Sequence, residues 1–135
     1  MNTNQLIIEK ISPFNVPVTV QKLIEAANQK EWQNPAVHNL QQSLAKSGTE
    51  VLPVVVVEIC KPDYSGRMLG QNEGRIVSVL MPYRISVYEK ADGKTYVAVL
   101  DLSEMTAGLP HTAVEAIRGA SDEALGIVKS VIGSF

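Results

Sequence analysis

The stretch YRISVYEKADGKTYVAVLD, residues 83–101, predicts a β-hairpin, and the rest of the fold can be built outward from it. Asp92-Gly93 lies between two runs of strand-forming residues, which is a strong signal for two antiparallel strands joined by a tight turn. In the first run Ile85 and Val87 share one face and polar residues share the other. The second run is apolar on both faces, so we expect it to be shielded on both sides.

A second stretch, VVVVEICKPDYSGRMLG at residues 54–70, predicts a buried strand followed by a helix. The apolar run ends at Cys60, and Pro62 is suited to the first turn of a helix that ends near Gly70. Pro53 cannot donate to a sheet, so the regular strand should begin after it.

The N-terminal third predicts one strand and two helices. Residues 6–11 form a short apolar run typical of a strand. Thr19 is placed to cap a helix that should end near Trp32, and residues 37–44 indicate a shorter helix with His38 near its start.

The C-terminal part predicts one long helix. Thr112 and Glu115 have the spacing of a capping box, and the apolar periodicity continues to Ile132. Residues 76–81 are apolar without a clear period, so helix and strand both remain open there. The order β-α-α-β-α-β-β-α predicts an α+β, two-layer domain with a mainly antiparallel sheet of about four strands covered by helices.

Size and composition are those of one globular domain spanning residues 1–135, with a core at about 12–132. The 135 residues are 45% hydrophobic and 19% charged, with a net charge of −2. We expect no nucleic-acid partner because no basic patch is visible. Nor do we expect a membrane span, because no apolar run approaches ~20 residues. The N-terminus resembles no leader peptide, which predicts a cytoplasmic protein.

Catalytic templates are missing, and this favours a protein that is not an enzyme. Cys60, the chain's one cysteine, has three possible roles: a small core residue, a ligand or redox-sensitive thiol, or a nucleophile assisted by a helix N-terminus and Lys61. Glu58, near the end of the same strand, either points to water or pairs with Arg84 or Arg67.

The sequence allows two roles for His38. It is either a partly exposed residue at a helix start, or a ligand to a metal or a b-type haem. In the second case its partner would be Met68, Met81, Cys60 or a second subunit, since axial haem ligation needs only one or two side chains and an apolar pocket. His111 is expected at the start of the last helix.

Three stretches together resemble domain-of-unknown-function family 302. They are SPFNVPVTVQKLIEAANQKEW with PAVHNLQQSL, then VVVVEICKPDYSGRMLG, then VLMPYRISVYEKADGKTYVAVLD. The resemblance implies a compact α+β domain with a TATA-binding-protein-like fold, commonly a homodimer, and no established activity. Three positions depart from the family pattern. Glu31 stands where glycine is usual, so the first helix is expected to run on to Trp32. Lys61 replaces an asparagine, and Tyr83 stands where many relatives have a second cysteine.

These observations predict a small homodimeric protein that binds a ligand or cofactor without catalysis. The pocket should lie between the sheet and the Pro62 helix or at the dimer interface. Two alternatives stay open: noncovalent b-type haem binding through His38, and a thiol-dependent enzyme using Cys60. The candidate lining residues, for a small apolar ligand or for haem, are His38, Cys60, Tyr64, Met68, Met81 and Tyr83.

Overall fold

The computed structural model describes residues 6–102 and 108–133, which form one antiparallel sheet with helices packed on it. The strands are β1 (Ile7–Ser12), β2 (Val37–Asn39), β3 (Val54–Ile59), β4 (Tyr83–Glu89) and β5 (Thr95–Leu100). The helices are α1 (Val16–Gln29), α2 (Leu40–Lys46), α3 (Pro62–Leu69) and α4 (His111–Ile132), with a 3₁₀ segment at Asn72–Leu80.

The sheet has the order β1-β5-β4-β3-β2, and every neighbouring pair is antiparallel. The predicted hairpin is confirmed: Val87 lies opposite Val97, and Gly93 closes the turn with a φ of 79°. In β3 and β4, Val57 lies opposite Ile85. Because side chains alternate along a strand, these four valine and isoleucine residues share one face.

That face carries the core. Its side chains pack against α1 and α4, so that apolar area is removed from water on both sides of the contact. We call the opposite side of the sheet the outer face, and its side chains remain partly exposed. The buried core residues include Leu23, Ala27, Val57, Ile59, Ile85, Val87, Val97, Val99, Ile117, Ile127 and Val128.

The α+β prediction is confirmed, and the described sheet has five strands rather than about four. The additional strand is β2, whose residues were expected at a helix start. His38 instead lies opposite Val56 in the sheet. A strand of three residues is too short to produce a periodic signal, and α2 begins directly after it. Asn39 caps α2 by accepting a hydrogen bond from the Gln42 backbone N–H at 3.0 Å.

Helix starts also differ from the prediction. The cap of α1 is Asn15, whose side chain accepts from the Val18 N–H at 2.9 Å, and Pro17 lies in the first turn. Thr19 lies inside the helix, buried, with its hydroxyl 2.7 Å from that of Ser12. From the sequence alone, a threonine that hydrogen-bonds to a buried side chain cannot be distinguished from a threonine that caps a helix.

The last helix begins at His111 with Pro110 at the cap position and no side-chain cap bond, so the predicted capping box is not its start. The side chain of Thr112 lies outside what the structure describes.

Residues 76–81, for which the sequence allows either helix or strand, lie mostly in the 3₁₀ segment. A Cβ at Gly74 would lie 2.1 Å from the Met68 carbonyl oxygen, so this segment can pack on α3 only with glycine there.

Among the described residues, no helix has both the length and the apolar character needed to cross a membrane.

Candidate functional site

A pocket opens at the end of the sheet where β3 stops and β4 starts. The pocket has a volume of about 50 Å³ and is partly open to solvent. Helix α3, the 3₁₀ segment and α4 complete the walls. The lining residues are mostly apolar: Trp32, Ile59, Cys60, Lys61, Tyr64, Ser65, Met68, Val77, Leu80, Met81, Pro82, Tyr83, Leu102, Ile117 and Ala120.

Five of the six candidate residues line this pocket: Cys60, Tyr64, Met68, Met81 and Tyr83. The five come from four separate places in the chain: the end of β3, helix α3, the residues after the 3₁₀ segment and the start of β4. The folded chain therefore brings together side chains whose proximity the sequence could not establish.

His38 does not line the pocket. Its position opposite Val56 puts it on the outer face, whereas Ile59 lies on the core face of the neighbouring strand. The side chain of His38 is 48% exposed, and its Nε2 lies 2.9 Å from Glu58 Oε2. The six predicted residues therefore do not form one site.

Glu58 is the most buried carboxylate of the outer face, with 11% of its side chain exposed. The expectation that it points to water is wrong, and the proposed Arg84 partner is present, with Nε 3.7 Å from Oε2. Arg67 instead lies over the Tyr64 ring, 5.2 Å from its centroid. The buried carboxylate of Glu58 thus has a polar contact with His38 and an ion pair with Arg84.

Cys60 lies where the sheet ends. Its backbone pairs with Gln33 through hydrogen bonds of 2.7 and 2.9 Å, and the thiol is half-buried. The Sγ atom lies 3.7 Å from the hydroxyl oxygen of Ser65, one turn into α3. Cys60 directly precedes the cap residue of this helix, so the thiol sits close to the helix N-terminus.

Four side chains form a hydrogen-bonded cluster beside the pocket. The carboxylate of Glu123 accepts bonds from Trp32 Nε1 at 2.8 Å and Lys61 Nζ at 2.7 Å on one oxygen, and from the Tyr64 hydroxyl at 2.7 Å on the other. Burial opposes ionisation of Glu123, but these three donors outweigh it and lower the pKa of the carboxyl. The bond to Glu123 raises the pKa of Lys61 and also that of Tyr64.

Glu123 was not among the predicted site residues. A signal was available, since Ala116, Ala120 and Ile127 follow the same helical face and Glu123 interrupts it. An acid on a buried face needs donors, and the donors come from α3 and from the end of α1. Lys61, which was expected to support the Cys60 thiolate, is engaged by this carboxylate and by the Lys30 carbonyl oxygen.

The end of α1 positions Trp32. The Trp32 N–H donates to the Ala27 carbonyl at 2.9 Å and the Glu31 N–H donates to that of Asn28 at 3.0 Å, the bond pattern of a Schellman motif. Glu31 provides the reversal with a φ of 64°. The expectation that the helix continues to Trp32 is therefore wrong: the helix ends at Gln29 and the turn drives the indole into the core, where it is 3% exposed.

Tyr83 forms a wall of the pocket. Its hydroxyl donates to the Leu100 carbonyl oxygen, and burial raises its pKa well above the ordinary value. The ring therefore stays neutral at physiological pH. The preceding Met81–Pro82 peptide bond is cis.

Comparison with known proteins decides the family. The family model for "Domain of unknown function DUF302" matches residues 8–131, nearly the whole chain. The chain belongs to the DUF302 family. A crystal structure of an uncharacterized conserved DUF302 protein from Bacillus stearothermophilus has the same fold, with a TM-score of 0.82, 16% sequence identity, and coverage of 93% of this chain and 98% of that one. A search of the curated proteins found no match.

The backbone angle of Glu31 gives a physical reason why the DUF302 family pattern would have glycine at this position. A residue with a φ of 64° is in the left-handed region, which glycine adopts without steric cost and glutamate does not. At position 83, where the family resemblance suggests a second cysteine in many relatives, this chain has the aromatic ring of Tyr83 in the pocket wall. A mechanism with two thiols in this DUF302 pocket has no second sulfhydryl, since Cys60 is the chain's one cysteine.

Within the described residues, no group of three or more His, Cys, Asp or Glu side chains could hold a metal ion. His38, which was predicted as a metal ligand, has Glu58 beside it as a second possible ligand, and this pair is the structural support for that prediction.

Proposed function

We propose that this protein binds a small, mainly apolar ligand without catalysing a reaction on it. The observation that carries the proposal is the pocket at the end of β3 and β4, which combines apolar walls with a few polar groups on one side. Those groups are the Cys60 thiol, the Ser65 hydroxyl and the cluster around Lys61. Such a division suits a ligand whose apolar body enters first and whose polar end stays near α3.

Haem binding through His38 has weaker support. The pocket's volume of about 50 Å³ is far smaller than a porphyrin, and His38 lies on the other face of the sheet from it. Haem would need a site on the outer face, with an axial partner from elsewhere. Thiol-dependent catalysis at Cys60 is supported by its half-buried position at a helix start, but neither described histidine lines the pocket to act as its base.

We also propose that the protein acts as a homodimer through the outer face. This face carries apolar side chains at its edge, such as Ile7 and Ile11, which are 41% and 50% exposed. Its carboxylates are engaged within the chain, Glu9 by Lys90 and Glu58 by Arg84, so their charges do not oppose the approach of another apolar surface. A two-fold axis would place the apolar edge of one copy against the same edge of the other, so a second copy is the occupant that this face favours.

The pocket proposal is tested by NMR titration of ¹⁵N-labelled protein with phenol, a small aromatic probe with one polar group. We expect saturable shifts confined to amides around the pocket, including those of Trp32 and Leu80. An Ala120→Leu variant fills the pocket and should lose them. Ala45→Leu, a matched substitution on exposed α2, should keep them.

Two outcomes would reject the pocket proposal. One is the absence of any saturable shift at millimolar phenol. The other is an identical titration in wild type and Ala120→Leu, which would mean that phenol binds elsewhere. A thermal melt of both variants shows whether each is folded before its titration is compared.

A further inference from the structure

Three of the chain's five sulfur-containing side chains line the same pocket. The chain has four methionines and one cysteine. Cys60 follows β3, Met68 lies in α3 and Met81 follows the 3₁₀ segment, and all three are pocket residues. Met68 is buried and Met81 is partly buried against the core. Met1 and Met105, the remaining two, lie outside the described residues.

A thiol and two thioethers in one pocket are a soft donor set. Soft ligands of this kind select Cu(I), whereas zinc sites are built mainly from several Cys, His or carboxylate groups. We propose that the pocket binds Cu(I), with Cys60 Sγ and the thioether sulfurs of Met68 and Met81 as its ligands. This inference goes beyond the proposed function: it concerns the same pocket but assigns it a second kind of occupant, a soft metal ion, in addition to a small apolar ligand.

The charge of the pocket fits a monovalent ion. A deprotonated Cys60 thiol and Cu(I) cancel, so no net charge is placed between apolar walls, where an uncompensated charge is costly. A divalent ion on the same three sulfurs would leave one positive charge unpaired. The nearby Lys61 is neutralised by Glu123 and adds no net repulsion.

The size of the pocket fits the same conclusion. A cavity of about 50 Å³ has room for a single ion. The apolar side chains of Ile59, Val77 and Leu80 line part of the pocket and would reduce the access of water to the ion.

Binding is a ligand exchange without electron transfer. As the Cu–S bond forms, the Cys60 S–H bond breaks and its proton passes to solvent, while both thioethers donate lone pairs without losing an atom. Copper enters and stays as Cu(I). The Ser65 hydroxyl lies 3.7 Å from Cys60 Sγ and also donates to the Lys61 carbonyl oxygen at 3.2 Å, so it is an outer neighbour of the sulfur that is held in place by the first turn of α3.

The test is an anaerobic competition titration of the full chain against the chromogenic Cu(I) chelator bicinchoninate. We expect one Cu(I) per chain. Cys60→Ser should weaken the affinity by at least about a hundredfold, and Met68→Leu and Met81→Leu by about tenfold each, because leucine keeps the volume and removes the donor. His38→Ala, remote from the pocket, should bind Cu(I) as tightly as wild type.

Each alternative result has a definite meaning. Unchanged affinity in both methionine variants overturns the three-sulfur site, even if Cys60→Ser loses copper. Equal loss in His38→Ala overturns the location. Failure of wild type to compete with bicinchoninate overturns the copper proposal altogether. The phenol titration of the same metal-free protein then shows separately whether the pocket binds a small apolar ligand.

Discussion

At the residue scale, Glu31 shows how one backbone angle positions a pocket residue. Its φ of 64° allows α1 to end and Trp32 to turn inward, where the indole reaches Glu123. The conformation is unfavourable for any residue with a Cβ. Folding tolerates it because the Schellman bonds and the burial of the indole outweigh the local cost.

Replacing Glu31 with glycine should stabilise the protein. Left-handed backbone costs a non-glycine residue about 1–2 kcal/mol, and the greater freedom of glycine in the unfolded chain offsets about 0.4–1 of that gain. We expect a net increase of up to about 1 kcal/mol in the free energy of unfolding, measured by urea denaturation. Lys30→Gly, next to it with a φ of −97°, should destabilise instead. Equal effects of the two variants would contradict this reading of Glu31.

Glu123 predicts a defined pH dependence. Its pKa is lowered in the folded state from an ordinary 4.5, so its stabilising contribution is complete above that value and is lost as the pH falls below it. Replacing Glu123 with glutamine should therefore destabilise the protein more at pH 7 than at pH 3.5.

Urea denaturation of both proteins at the two pH values measures this difference. Glu115→Gln, on the exposed side of the same helix, removes a carboxylate that lacks the three donors of Glu123 and should have a much smaller effect. A Glu123→Gln penalty that is the same at pH 3.5 as at pH 7 would rule out the ionised hydrogen-bonded carboxylate as its cause.

At the element scale, α4 contains two glycines with different reasons to be there. A Cβ at Gly119 would lie 2.8 Å from Cε1 of Tyr64, whose ring is held by its bond to Glu123. A Cβ at Gly126 would meet nothing within 4 Å. By sequence both are weak points of a helix, but only Gly119 is required by the packing of α3 on α4.

The two alanine substitutions should therefore have opposite effects. Gly126→Ala should raise the free energy of unfolding by about 0.5–1 kcal/mol, the intrinsic helix preference for alanine. At Gly119 the same gain is exceeded by the clash, and we expect a net loss of about 1 kcal/mol. Urea denaturation measures both, and a Gly119→Ala protein as stable as Gly126→Ala would show that Tyr64 moves freely.

At the scale of the whole molecule, the sheet buries one face and leaves the other partly exposed. The outer face carries an ion-pair cluster of Glu9 with Lys90 and a stacked pair, Tyr88 and Tyr96, with ring centroids 6.1 Å apart. The Tyr88 hydroxyl also donates to Glu9. These contacts order side chains of the outer face without covering it.

The homodimer proposal predicts which substitution separates the copies. Ser86 lies on the outer face in the central strand β4, so Ser86→Arg should convert a dimer into a monomer by placing a long charged side chain at the interface. Light scattering after size exclusion measures the mass of each. Val79→Arg, on an 80% exposed residue of the 3₁₀ segment, should stay dimeric. A wild-type protein with the mass of a monomer would contradict the homodimer proposal.

Local chemistry in the sequence determined the hairpin, the buried strand before Cys60, the Pro62 helix and hence the α+β class. These features depend on residues close in the chain: a turn dipeptide, alternation along a strand and a proline at a helix start. The three-residue β2 and the helix end at Glu31 escaped prediction. The first depends on pairing with a distant strand, and the second on a backbone angle that glutamate rarely adopts.

Only the tertiary structure decided which candidate residues meet. It brought five of them into one pocket, separated His38 from them, and joined Trp32 to Glu123 across 91 residues of chain. The physical reason is that a pocket is made where elements pack, and packing depends on contacts far apart in sequence. Periodicity shows that a residue faces inward, but the folded chain determines what it faces.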